Sequence, residues 1–382
     1  MRIDAHVHLM TPMTAAELDE LCRVEPYWGL LLKPPPGTPS IQGWVTPERM
    51  LADMDAAGVD RVVIQGQYRR THAGCVAHND QVIEVVRRWP DRVSGFAVVQ
   101  PLAGSLAIDE LDRCLDAGLC GVGELNPYAQ GHSLHHPDFR RLVEACISRD
   151  IPLNLHVSEE VGHYYPGKST TPLRDYYWLA EQYPELRLIL AHWGGGLFFY
   201  ELMPSARRVL RNVSYDTAAS PLLYATADIF AVALRCLDSR KILFGSDYPL
   251  RIFPRRQKEP DFTSFMEQIA ALDMPPEVRQ ALVGDNAARV LGLLPTEAAA
   301  PLQAETSSAV TMAVRLPISE YMAVTMVAEQ WPPTQAVFER HGIPWRDSPV
   351  PAWEPIVQAA AARGYSPEQR EQLLTELNAA IG

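Results

Sequence analysis

A rhythm in the first 290 residues restricts the fold of this chain more than any single motif. Eight short apolar runs recur there: "IDAHVHL", "DRVVIQG", "RVSGFAVV", "GVGEL", "PLNLHVS", "RLILAHW", "NVSYDTA" and "KILFGSD". Between most of them the apolar residues fall at three- and four-residue spacing, as in "HNDQVIEVVRRWP" and "DFRRLVEACISRD", the period of a helix with one buried face. Runs rich in Val, Ile and Leu suit strands buried on both sides, hence a parallel sheet covered by helices. Eight such units at roughly 30-residue spacing predict a closed (β/α)8 barrel. A doubly wound open sheet is the competing arrangement, but no Gly-x-Gly-x-x-Gly follows the first run, which weakens it. Thr46-Pro47-Glu48 reads as a helix start, with Thr46 as the cap and Pro47 in the first turn.

Two stretches break the rhythm. Residues 10–46 form a long excursion after the first run, containing "YWGLLLKPPPGTPSIQGW". Connections of that length are usually functional or disordered; Trp28, Trp44 and Leu30-Leu31-Leu32 argue for a lid packed over the barrel. After "NAARVLGLL" the composition turns to Ala, Thr, Ser and Pro, so residues 295–315 read as a linker between a barrel domain, 1–294, and a small all-helical domain, 316–382. In the latter, Gly342 and Gly364 stand where helix C-caps fall, and Ser366-Pro367-Glu368 marks a helix start.

The net charge of -12 argues against nucleic acid as a partner, since phosphates need a basic face. No apolar run reaches the roughly 20 residues that span a bilayer. The six cysteines have no paired spacing and read as free thiols in a reducing, cytoplasmic compartment.

Side chains alternate along a strand, so His6 and His8 share a face. Glu124, His156, His192 and Asp247 end four other runs. A (β/α)8 barrel gathers strand C-termini into one mouth, where active sites lie. Four imidazoles and two carboxylates converging there are costly to bury unpaired. A divalent metal removes that cost.

That order of residues, with the surroundings "NLHVSE", "LAHWGGG" and "LFGSDYP", resembles the amidohydrolase superfamily over about residues 1–294. It is most similar to the amidohydrolase-2 branch that includes the aminocarboxymuconate-semialdehyde decarboxylase type. The resemblance implies a zinc-type centre held by His6, His8, His156 and Asp247, with manganese as another candidate metal. It implies that His192 binds a second metal or polarises the substrate, and that Asp247 is both ligand and proton acceptor for a metal-activated water. Glu124 stands where some branches place a bridging carboxylate; it would bridge two metals or orient a ligand imidazole.

The expected activity is hydrolysis of an amide, ester or lactone in a small, carboxylated substrate. Non-oxidative decarboxylation by the same residues is the alternative, and a non-catalytic metal-binding or regulatory barrel is a third reading. Arg251 in "SDYPLR", and Lys168 and Tyr165 in "HYYPGKST", are candidates for holding an anionic substrate, as is Trp193 beside His192. "WGGG" allows either a tight turn or backbone N–H groups presented to an anion. The cluster His132, His135 and His136 has no ligand spacing and reads as loop. The C-terminal domain weakly resembles an uncharacterised helical domain appended to redox and hybrid-cluster proteins, around "FERHGI" and "LLTELN", but carries "GIPWRDSP" where that family has cysteines. A docking or dimer-contact role, and with it a homo-oligomer, is the expectation; Trp331, Trp345 and Trp353 would form either a contact surface or the core of this small domain.

Overall fold

Every strand pairing is parallel, and each crossover from one strand to the next carries a helix. In the computed structural model, which describes residues 1–33, 40–293, 318–345 and 354–381, the strands are β1 (Ile3–Val7), β2 (Arg61–Ile64), β3 (Val93–Gly95), β4 (Val122–Leu125), β5 (Leu153–Leu155), β6 (Leu188–Leu190), β7 (Val213–Asp216) and β8 (Ile242–Leu243). They form two runs, β1-β2-β3 and β4-β5-β6-β7-β8. Two junctions join the runs into a closed barrel. Ala97 bridges Val122 and Val7 bridges Tyr248. Backbone bonds seal both, including Gly123 N–H to Ala97 O at 2.9 Å and Asp247 N–H to His6 O at 2.9 Å. Closure removes the sheet edges and leaves all strand C-termini on one rim.

The outer strand faces pack under the crossover helices. Inside, Ile3, Ala5, Val63, Phe96, Ile189 and Leu243 form a separate apolar cluster with Ala287 and Ala288. The helix Asn286–Val290 carries those alanines and closes the N-terminal end; Arg187, just ahead of β6, donates to the Val290 carbonyl there. The lower barrel is therefore solid, and the polar residues are confined to the upper rim.

Two strands depart from regular register, β1 between Asp4 and Val7 and β4 between Val122 and Leu125. Each carries one residue more than its partner across the shift, a bulge that re-aims side chains. On β1 it lets His6 follow Ala5 onto the inner side while Val7 packs in the outer core. On β4 it lies at Glu124.

The excursion after β1 is more regular than a loop. It holds α1 (Ala15–Val24), started by a Thr14–Glu17 capping box, and α2 (Pro26–Leu32). Trp28 of α2 stacks on Tyr68 at 4.9 Å and donates to the Tyr68 carbonyl at 2.9 Å. Thr46 caps the next helix, Pro47–Ala57, by accepting from Arg49 N–H. All six cysteines are free thiols.

The chain divides into two compact units, Met1–Ala298 and Ala299–Gly382. The expected linker, 295–315, lies outside the described residues. The second unit has helices Val324–Gln330, Thr334–Arg340, Ile356–Ala361 and Pro367–Ala379. They bury Val327, Phe338, Leu373 and Leu377, and Trp331 and Trp345 pack against that core; Trp353 is outside the described residues. Gly342 and Gly364 follow their helices with positive φ, and Ser366 starts the last helix with a capping box.

Candidate metal centre

Six side chains from five strands meet at the upper rim. His6 and His8 come from β1, and their Nε2 atoms are 3.2 Å apart. Glu124 comes from β4 and lies between two sets of imidazoles. Its Oε2 is 3.8 Å from His6 Nε2 and 3.7 Å from His8 Nε2. Its Oε1 is 2.8 Å from His156 Nδ1 and 3.2 Å from His192 Nε2. Asp247, past β8, reaches His8 Nε2 at 3.3 Å. Two triads result, His6–His8–Glu124 and Glu124–His156–His192, each with ligand atoms within 4.8 Å of one another. Glu124 belongs to both.

The donor atoms fit a metal. Tetrahedral zinc with nitrogen at about 2.05 Å places its ligands about 3.3 Å apart, close to the His6–His8 separation of 3.2 Å. The far ring nitrogens are held as well. His6 Nδ1 lies 2.9 Å from Asp216 Oδ2, His8 Nδ1 3.2 Å from the Gln65 carbonyl, and His192 Nδ1 2.9 Å from the Ala218 carbonyl. Each of those acceptors fixes the tautomer that leaves Nε2 free to face the centre.

Charge supports the same reading. Burial disfavours ionisation of His6, His192, Glu124, Asp216 and Asp247, yet opposite charges outweigh it. Asp216, then Glu124 and Asp247, push the His6 imidazole up to about 9. The hydrogen bond and charge of Glu124 push His192 up to about 10. The His156 and His192 imidazoles in turn hold Glu124 well below the usual carboxylate range, and His8 and His6 lower Asp247. Three ionised carboxylates, Asp216 included, demand positive charge inside a protein, and protons or a divalent ion can supply it.

Backbone geometry is strained at the same place. His192 and Asp247 have φ of 57° and 68°, a left-handed conformation that costs a non-glycine residue on the order of 1–3 kcal/mol and collects at functional sites. The "WGGG" glycines continue the left-handed turn. A Cβ on Gly195 would lie 2.5 Å from the Ser158 carbonyl, so close packing and a tight turn account for that motif.

A cavity of about 380 Å³ opens onto the centre. His8, Glu124, His156, His192 and Asp247 form its floor, and the wall includes Trp28, Leu31, Tyr68, Val157, Leu222 and Leu223. The expected substrate residues divide. Tyr165 lines the cavity and donates to Glu159 Oε2 at 3.1 Å. Lys168 is turned into an ion pair with Glu159 at 2.9 Å. Arg251 donates to the Ser40 carbonyl and does not line the cavity. Trp193 is fully buried away from it, against Phe198 and Phe230, with its indole N–H on Ser220 Oγ at 2.8 Å. Competing acceptors and packing partners explain all three displacements: proximity in sequence to His156, His192 or Asp247 did not set direction.

The histidine cluster after β4 is structural. His132 stacks on Phe139, His136 caps the helix Pro137–Ser148, and His135 packs on Trp178. Asp216 was missed by the sequence reading although it ends the seventh run as His192 ends the sixth; the same strand-end question would have found it. Tyr68 and Gln65, just past β2, carried no such signal.

A profile of the family described as amidohydrolase matches residues 3–293. Solved structures share the fold. A 5-carboxyvanillate decarboxylase from Sphingomonas paucimobilis superposes with a TM-score of 0.60 at 17% identity, covering 76% of this chain and 98% of its own. A 5-carboxyvanillate decarboxylase from Novosphingobium aromaticivorans, complexed with manganese and a nitrobenzoic acid, gives 0.58 at 17%, covering 76% and 96%. A 4-oxalomesaconate hydratase from Rhodopseudomonas palustris gives 0.54 at 21%, covering 76% and 96%.

Proposed function

Because the chain belongs to the amidohydrolase family, we propose that it is a metal-dependent hydrolase of a small molecule, in which Glu124 and the two imidazole sets on either side of it would hold two divalent ions. The observation that carries this reading is the position of Glu124, one carboxylate oxygen toward His6 and His8 and the other toward His156 and His192. His6, His8 and Asp247 would hold one ion, and His156 and His192 the other. Zinc suits the imidazole-rich set, and manganese is bound by the Novosphingobium aromaticivorans relative. Bound there, such ions supply Lewis acidity, polarising a substrate oxygen and making water acidic.

The chain's own groups do the rest. Asp247 faces the cavity floor with its carboxylate held ionised by His8 and His6, so it accepts the proton of the attacking water. It then returns that proton to the leaving group as the amide, ester or lactone bond breaks. Asp216 and the Gln65 and Ala218 carbonyls hold the imidazoles in place. The wall formed by Trp28 and Tyr68 excludes bulk water.

A second reading is non-oxidative decarboxylation, in which the metal orients a carboxylate substrate. It is favoured by the mostly apolar wall, suited to releasing carbon dioxide, and by the decarboxylase activity of two of the relatives. One experiment separates them. The zinc- or manganese-loaded protein is analysed for metal content and then given a panel of small carboxylated amides, esters and lactones beside aromatic acids. Hydrolysis with close to two metals, falling to one in Glu124→Gln, supports the first reading. Carbon dioxide release without hydrolysis replaces it by the second. Protein that retains no metal overturns both.

A further inference from the structure

Above a floor that would hold the metal, the cavity wall carries a carboxylate, Glu159, and among the described residues no lysine or arginine side chain lines it. Glu159 lies in the segment after β5, four residues past its end, and its side chain is 14% exposed. Its Oε1 holds Lys168 Nζ at 2.9 Å, with Lys168 10% exposed. Its Oε2 accepts from Tyr165 at 3.1 Å. Lys168 also lies over the Tyr165 ring at 5.6 Å. Lys168 is thus neutralised by a carboxylate that itself faces the cavity. His163, also on the wall, is exposed.

We propose that Glu159 determines specificity: it withdraws Lys168 from the cavity, so that the site takes a substrate with one anionic or polarised group at the metal floor and an uncharged, largely apolar body, and rejects dicarboxylates. This rests on the metal reading above, which seats the reacting group on the floor. Two physical terms favour it. A second carboxylate entering the wall meets a carboxylate whose ion pair with Lys168 leaves no net positive charge to attract it, in a partly desolvated space where any residual like-charge contact is costly. Among the described residues it also finds no lysine or arginine lining the cavity to replace its lost hydration. An uncharged body meets Trp28, Leu31, Leu222 and Leu223, and gains by covering them. Rejection by an unfavourable partner in the wrong complex is a common source of specificity.

The test uses two probes of equal shape and different charge, 3-carbamoylbenzoate and isophthalate. Their binding to the zinc-loaded full chain is measured by calorimetry at pH 8. Zinc content is determined first, so a failure of the metal reading shows as protein without zinc. The expected result is that 3-carbamoylbenzoate binds at least about tenfold more tightly than isophthalate. Glu159→Gln frees Lys168 and is expected to erase or reverse that ratio. Lys168→Met, which leaves Glu159 uncompensated, is expected to widen it. Isophthalate binding as tightly as 3-carbamoylbenzoate in the parent overturns the proposal. So does a ratio unmoved by both variants, or no binding of 3-carbamoylbenzoate to zinc-loaded protein at millimolar concentration.

Discussion

Asp216 takes four donors on one buried carboxylate. His6 Nδ1 and the Asn154 amide reach Oδ2, at 2.9 and 3.2 Å, and the His192 and Ala218 backbone N–H groups reach Oδ1, at 3.0 and 3.1 Å. It therefore fixes an imidazole of one triad and the backbone of an imidazole in the other. Groups in this position tune metal affinity about 10–100-fold in other sites. Asp216→Ala is expected to lose zinc affinity by that factor in competition with a chromophoric chelator. Asp216→Asn, which keeps an acceptor and loses the charge, is expected to fall between. Equal affinity in all three proteins would leave Asp216 as packing alone. At the same scale, Asp247→Asn removes the proposed proton acceptor. Turnover on any substrate found by the panel is expected to drop by about 10²–10⁴, with the protein still folded by circular dichroism.

At the scale of elements, β8 reaches the rim through "FGSD", and the glycine there is set by its neighbour. A Cβ on Gly245 would lie 2.7 Å from His6 Cβ. Strand β1 cannot move away, because its backbone is bonded to residues following β8 on one side and to Gln65 on the other. Gly245→Ala is expected to cost about 1–3 kcal/mol in unfolding free energy, as overpacking does, and to weaken zinc binding by displacing His6. Unchanged metal affinity at reduced stability would detach the glycine from the site. Helix starts were the most legible features, since Thr46-Pro47-Glu48 in the barrel and Ser366-Pro367-Glu368 in the second unit each name their own start by local chemistry. The bulges on β1 and β4 were not legible. They exist because a strand must aim two residues at one centre while keeping its outer face packed, a demand set by other strands.

At the scale of the whole molecule, stability depends on pH through a residue that belongs to neither metal triad and does not line the cavity. His132 is buried beside Phe139, and burial pushes its imidazole down to about 4. Unfolded, it titrates near 6.5. The native state therefore binds fewer protons than the unfolded state between those values. The stability due to this residue is complete above pH 6.5 and is lost as pH falls toward 4, by roughly 3 kcal/mol. His132→Phe is expected to lose less stability over that window than the parent, in denaturant unfolding at pH 7 and pH 4.5; parallel losses would refute the assignment. Metal acts on the same scale. Zinc that binds only the folded barrel raises its stability by about 4 kcal/mol at a thousandfold excess over Kd, visible as a rise in Tm that a chelator reverses.

The sequence by itself determined the eight βα units, the barrel they close, and the six rim residues His6, His8, Glu124, His156, His192 and Asp247. These are local facts, periodicity and position along a strand, and a closed parallel barrel turns position along a strand into position in space. The tertiary structure alone decided which atoms face one another. It placed Glu124 between two imidazole sets, brought Asp216 beneath His6, and turned Lys168, Arg251 and Trp193 away from the cavity. The reason is that a side chain's direction follows its nearest acceptor and the room left by packing. Both are supplied by residues distant in the chain: His6 and Asp216 stand 210 positions apart.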